Sequence, residues 1–436
     1  MASPVADTYS VTSGVAVFAG RYPSGLLYGG ASLGALAAAG GLGVQESSLA
    51  GAAAVSGLSA DGGLQGLVLP SWYTSAATGE WVALSSSTLT SSGVGWPTNP
   101  APGVGGPYTK IVGAWGGGIL NTVGVHYGGS FIPGTFLVIW GGGHADWAGN
   151  DMYAYGPIES DSAVWRRLMD PTDPPPSNVL RDSNGYPAAR HTYDTLVHLP
   201  DSNEMLTFGT PGVYVSGNSL VGSDLFDFSV DPASANPWSE NDTGFPAYTG
   251  GATINGNFVY NPVTKKAWGV GNGNGSKLAV WDDVAKTWAS YYKDNPYNPG
   301  GSKAAIDPVH NLFVFIDSRG YVAVQDLANP NSAIYYPTFT GTAPSYARRM
   351  LDWDAAGGRF VSWDSSGKTV YFLTPGANPA SGGDDWVWTS TTPAGGATPA
   401  DGEVEGTYGR FRMVNGPMRG ILLMSKADSA ITFYKM

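Results

Sequence analysis

Apolar and polar residues alternate along this chain in short runs, and the runs come in pairs. An apolar strand is followed by a tight turn carrying Pro or Asp, then by a second apolar strand. The copies read GGSFIPGTFLVIWGG, DTLVHLPDSNEMLTFG, NFVYNPVTKKAWGVG, KAAIDPVHNLFVFID, MLDWDAAGGRFVSWD and FRMVNGPMRGILLMS. A period of two over such short runs predicts β-strands, and the intervening residues predict turns. The turn residues Pro133, Pro200, Pro262, Pro308, Ala355 and Pro417 fall in register, separated by 67, 62, 46, 47 and 62 residues. Those are the periods of propeller blades with loop insertions.

A third short strand follows each pair, ending at Tyr155, Phe228, Trp281, Gln325, Leu373 and Tyr434. A fourth then carries an aromatic: Trp165, Trp238, Trp288, Tyr336 and Trp388. The sixth copy stops after its third strand at Met436, and the missing piece stands upstream as TGEWVALSS with Trp81. A strand at about 78–86 therefore completes blade six and leaves no sheet edge open. The expectation is an all-β, six-bladed propeller over 67–436, with blades at about 107–170, 188–240, 254–292, 302–338, 348–390 and 407–436. Residues 1–66 do not fit the repeat. They are rich in Gly, Ala and Ser and read as a small β or extended segment, ordered only against a partner surface. The stretch SSGVGWPTNPAPGVGGP reads as a long loop between the closing strand and blade one.

Composition narrows the partners. Charged residues are only 13% of the 436 and the net charge is −12, so a phosphate backbone is not an expected partner. There are no cysteines, which excludes disulfides, thiolate nucleophiles and Cys-based metal sites. The N-terminus lacks the positive region of a secretory signal, and the Ala/Gly-rich stretch that follows is too weakly apolar for a membrane span.

The densest polar constellation is GGGHADWAGNDMYAY, holding His144, Asp146, Trp147, Asn150 and Asp151, with YPAARHTYD, holding Arg190, His191, Tyr193 and Asp194. One piece follows the second strand of its blade and the other precedes the first strand of the next. Both loops therefore point to one end of the central channel.

These phrases and the repeat resemble kelch or galactose-oxidase-like propellers of bacterial and viral origin. The resemblance implies the propeller fold over roughly 70–436. It does not imply copper radical chemistry, which needs a cysteine cross-linked to a tyrosine, and no cofactor is expected. Three readings of the constellation stay open. In the first, the glycine run allows unusual backbone and the polar side chains satisfy loop amides. In the second, the loops recognise or cleave a glycan: His144, Asp146, Trp147, Asn150, Arg190, His191, Arg348 and Arg410 would bind it, and a polysaccharide lyase would use Arg190 as carboxylate neutraliser with His191 or Tyr193 as base or acid. In the third, His144, Asp146 and Asp151, or His191, hold a divalent ion. Arg190, Arg348, Arg349, Arg410 and Arg412 would form a basic collar suited to an anionic sugar, or else pair with Asp352, Asp354 and Glu405. His126, His198 and His310 sit in or beside turns and read as surface or packing residues.

Low charge, no cysteine and a Gly/Ala-rich lead before a compact domain look like a phage tail or capsid appendage protein. That reading makes the protein in the host cytoplasm, attaches it to other virion proteins through 1–66, and presents the propeller to host surface polysaccharide. The alternatives are an extracellular glycan-active enzyme such as a lyase, and an intracellular kelch-type interaction module.

Overall fold

The computed structural model describes residues 11–12, 15–16, 68–90, 94, 110–113, 116–142, 149–172, 179–209, 222–245, 256–270, 277–292, 303–316, 321–345, 350–380, 385–403 and 406–436. The chain separates into two compact units, Met1–Ala52 and Ala53–Met436. In the first, the described residues are a short antiparallel ladder, Val11–Thr12 against Val15–Ala16. The second is a six-bladed β-propeller.

From the axis outward, blade one runs Gly117–Asn121, Phe136–Trp140, Met152–Gly156, Val164–Met169, and blade two Val197–Leu199, Glu204–Gly209, Gly222–Asp227, Trp238–Glu240. Blade three runs Asn257–Asn261, Lys266–Val270, Lys277–Asp282, Thr287–Tyr292. Blade four has Ala304–Asp307, Leu312–Ile316 and Val322–Asp326, and blade five Asp352–Asp354, Arg359–Trp363, Val370–Thr374, Trp386–Thr391. Blade six has Phe411–Val414, Gly420–Leu423 and Thr432–Lys435, and Trp81–Ala83 is its outer strand. The closing register is Trp81 opposite Tyr434, Val82 opposite Phe433 and Ala83 opposite Thr432. The Trp81 ring tilts against Tyr434 at 5.3 Å, and its indole N–H donates to Lys368 O of blade five at 2.9 Å. The N-terminal closure expected from the incomplete sixth copy is present.

The period of two explains how the blades stack. Along Phe136–Trp140, Phe136, Val138 and Trp140 join the core shared with blade two, while Leu137 and Ile139 join the core shared with blade six. Each blade interface has such a cluster, and the expected outer-strand tryptophans sit in them. The turns repeat as well. In three hairpins an Asx side chain accepts the amide two residues on: Asn261 from Val263 at 3.0 Å, Asp282 from Val284 at 3.1 Å and Asp307 from Val309 at 2.9 Å. The residue four after each (Lys265, Lys286, Asn311) then takes a positive φ of 51 to 55° and turns the chain back.

Two expectations shift. In blade one, Ser130–Pro133 is not the inner strand: it pairs with Gly124–Tyr127 as an inserted hairpin, and Gly117–Asn121 lines the axis. That inner strand begins with glycines because other backbone crowds it; a Cβ on Gly117 would lie 2.1 Å from Tyr193 O. The glycines hide the strand from any apolar pattern. In blade four the outer position is an isolated bridge of Tyr335 to Val324, so Tyr335, not Tyr336, makes the ladder contact.

Candidate functional site

Every inner strand starts at the same end of the axis, and there the side chains of several blades meet. Asp194, just before the inner strand of blade two, is fully buried. Its backbone carbonyl accepts from Phe258 N of blade three at 2.8 Å, and its Oδ2 accepts from Ala304 N of blade four at 3.3 Å. Its Oδ1 lies 3.5 Å from an Nη of Arg412 of blade six. That same Nη donates to Gly118 O of blade one at 2.7 Å. Lys303 of blade four donates to Asp352 of blade five at 3.2 Å and to Phe411 O of blade six at 2.7 Å. Asp352 also accepts from Met413 N at 2.9 Å. Two acids and two cations thus tie all six blades together across the axis.

Burial dominates the titration of this cluster. It pushes the Asp194 carboxyl up to about 6, against the pull of Lys303 and Arg412. It pushes Lys303 down to about 8, with Arg412 adding to the effect and Asp352 and Asp194 opposing it. Asn257, at the start of blade three's inner strand, is fully buried beside them.

The expected site residues distribute as follows. His144, Asp146, Trp147, Arg348, Arg349 and Glu405 lie outside the described residues. Asn150 is buried and structural: its Nδ2 donates to Pro187 O at 3.0 Å and its Oδ1 accepts from Thr172 N at 2.9 Å. Asp151 accepts the Tyr153 hydroxyl at 2.5 Å; burial first, and Asp151 beside it second, hold that phenol above its ordinary range. The guanidinium of Arg190 is fully buried; it grips Asp224 at 2.8 Å and packs over Trp140. Arg181 binds the same carboxylate. Arg410 is fully buried too, and it donates to the carbonyls of Gly116, Gly406 and Met424. These two arginines serve the blades themselves and do not open to solvent as a collar.

The His191 and Tyr193 rings lie 5.8 Å apart, and Tyr193 meets Tyr408 edge-on at 5.1 Å. Tyr193 and Tyr408 both hold a positive φ, 44° and 42°, which a bulky side chain adopts only when its surroundings force it. Both are nearly buried, at 5% and 3% exposure.

A second polar site lies elsewhere, at the hairpin end of blades five and six. A cleft of about 390 Å³ is lined by Arg359, Phe372 and Thr389–Thr391 of blade five, with Arg419, Tyr434, Lys435, Met436 and residues 78–79 from the blade six side. Beneath it Asp354 is fully buried and accepts four donors. Arg419 grips it with both ends of its fork, at 2.9 and 2.5 Å; Arg359 Nε adds a bond at 3.3 Å and Gly357 N one at 3.1 Å. Arg359 also lies over the Phe372 ring, 3.8 Å from its centre. None of these residues except Asp354 stood out in the sequence. A Gly-Gly-Arg phrase at 357–359 and Met-Arg-Gly at 418–420 occupy equivalent hairpins and are the signal available.

No protein-family model matches the chain. No curated protein matches it either. Among solved structures it is similar to the major Malassezia sympodialis allergen Mala s 1, at 10% identity over 75% of this chain and 93% of that one, TM-score 0.42. It is also similar to SapL1 lectin in complex with alpha methyl fucoside, at 14% identity over 75% and 95%, TM-score 0.40. A third is a Bacteroides thetaiotaomicron protein of unknown function, at 10% identity over 72% and 89%, TM-score 0.33. At such values no ligand or activity carries over to this chain; the propeller stands on its own strand pairing.

Proposed function

We propose that this chain is a carbohydrate-binding display propeller of a phage tail or capsid appendage, held on the particle by residues 1–66. The observation that carries binding is the cleft between blades five and six. Sugars offer closely spaced hydroxyls, and a site for them needs donors and acceptors placed to meet those hydroxyls. The cleft supplies the exposed side chains of Thr389, Ser390 and Thr391 and two partly open guanidinium groups. Its floor belongs to two blades locked by the Trp81 closure, so it is preformed, which limits the ordering cost of binding.

The axial end supports binding over glycan cleavage. The lyase reading needs Arg190 against a substrate carboxylate, and that guanidinium is enclosed on Asp224. Attachment to a virion rests on composition: 13% charged residues, no cysteine, and a Gly/Ala-rich lead outside the repeat. Two measurements test the reading. The protein is expected to co-purify with assembled particles and to bind members of a printed glycan panel without converting them. Absence from particles ends the virion part, and a blank panel ends the carbohydrate part.

A further inference from the structure

Two guanidiniums of the cleft converge on a single buried side-chain carboxylate. Asp354 is fully buried, and a carboxylate offers about four lone-pair directions. All four are taken: Oδ1 by Arg419 Nε and Gly357 N, Oδ2 by an Arg419 Nη and Arg359 Nε. Two guanidiniums therefore share one carboxylate. Among the described residues no other acid lies within ion-pair distance of either.

Their remaining donors have somewhere to go. The side chains of Arg359 and Arg419 are 30% and 29% exposed, and both line the cleft. Neither Nη of Arg359 hydrogen-bonds to another described residue, and one Nη of Arg419 is likewise left over. The neighbouring cation is already used: Lys435 donates to Tyr73 O and Ala76 O, each at 2.9 Å, and lies over the Tyr73 ring. Guanidinium forks match the planar geometry of a carboxylate, and hydrogen bonds between ionised groups are about twice as strong as neutral ones. The hydroxyls of Thr389 and Thr391 stand on the exposed outer strand of blade five beside the pair.

We infer that this cleft is a binding site for an acidic sugar, whose carboxylate is received by Arg359 and Arg419 while its hydroxyls meet Thr389–Thr391. This rests on the carbohydrate reading above and specifies its ligand class. In a protein of net charge −12, two partly open guanidiniums side by side select the anion at this one place.

The test uses the full chain and a panel of immobilised uronate- and sialate-containing oligosaccharides, each beside its carboxyl-reduced counterpart. Binding is expected to acidic members and to fall about tenfold or more on carboxyl reduction, the size of one charge-assisted bond. Arg359→Gln is expected to lose a similar factor, and Thr389→Ala a smaller one. Arg359→Gln leaves the Arg419 fork on Asp354 intact, so an unchanged melting temperature shows that it folds. Equal binding of reduced and acidic sugars, or undiminished binding by folded Arg359→Gln, overturns the acidic-sugar site while leaving a carbohydrate-binding propeller standing. Binding to neutral sugars alone does the same. No binding to any member ends both readings.

Discussion

The inner strand of blade five carries two acids, Asp352 and Asp354, and they meet opposite fates. Asp352 belongs to the axis, where Lys303, Arg412, Asp194 and it balance two charges against two. Asp354 belongs to the cleft, where two arginines converge on one carboxylate. At the axis Lys303 is fully buried and its donors end on protein. At the cleft nearly a third of each arginine side chain is open. Buried ion pairs seldom add net stability over apolar packing, but breaking one is costly. The axial set therefore reads as a device that fixes six blades in one arrangement. The cleft, with two guanidiniums on one carboxylate and solvent access, reads as a place where something else binds.

Substitutions can break that contrast. The largest effect is expected from Lys303→Met. It leaves Asp352 and Asp194 short of a cation inside the ring, and a loss of about 3–5 kcal/mol is expected in urea unfolding. A loss below about 1 kcal/mol would mean the axis is not the lock described here. Arg419→Gln comes next. It removes the fork from buried Asp354 but leaves Arg359, so about 2 kcal/mol is expected, the scale of hydrogen bonds to a charged group. If Arg419→Gln proved as costly as Lys303→Met, the cleft would be structural in the same sense as the axis.

The smallest effect is one of pH. The Asp194 carboxyl is raised to about 6 in the folded protein, from roughly 3.9 in an unfolded chain. Between those values the folded state holds a proton that the unfolded state has lost. That contribution to stability is present at low pH and fades as pH rises through about 6. His198 has the opposite slope in an overlapping window, because burial pushes it down to about 4. The comparison therefore has to be wild type against Asp194→Asn. Stability relative to the variant should fall between pH 4.5 and 7, by about 1 kcal/mol or more. A flat difference would show Asp194 to be ionised throughout.

Much of the propeller was legible. Period-two apolar runs, Asx or Pro at the turns and a recurrent outer tryptophan report local geometry, and each held where burial on both blade faces demanded it. Gly117–Asn121 was not legible, because close backbone approach replaced its apolar signal with glycine. The site was read less well. Arg190 and Arg410 looked like a ligand collar since a loop arginine in sequence carries no mark of what lies above it. In the fold both find acceptors in the protein. Arg359 and Arg419 were passed over, although each keeps an Nη with no hydrogen bond to another described residue.

The sequence by itself determined the strand period, the blade count and the need for Trp81 to complete the last blade. Those follow from side-chain alternation and from an incomplete repeat, both local properties. Only the tertiary structure decided which charges cancel. Lys303, Asp352, Asp194 and Arg412 are far apart along the chain, and the ring brings them within hydrogen-bond or ion-pair reach at its axis. Asp354, two residues from Asp352, is carried to a different set of partners by the length of one short strand. Charge balance is a sum over neighbours in space, and the order of residues along the chain does not contain it.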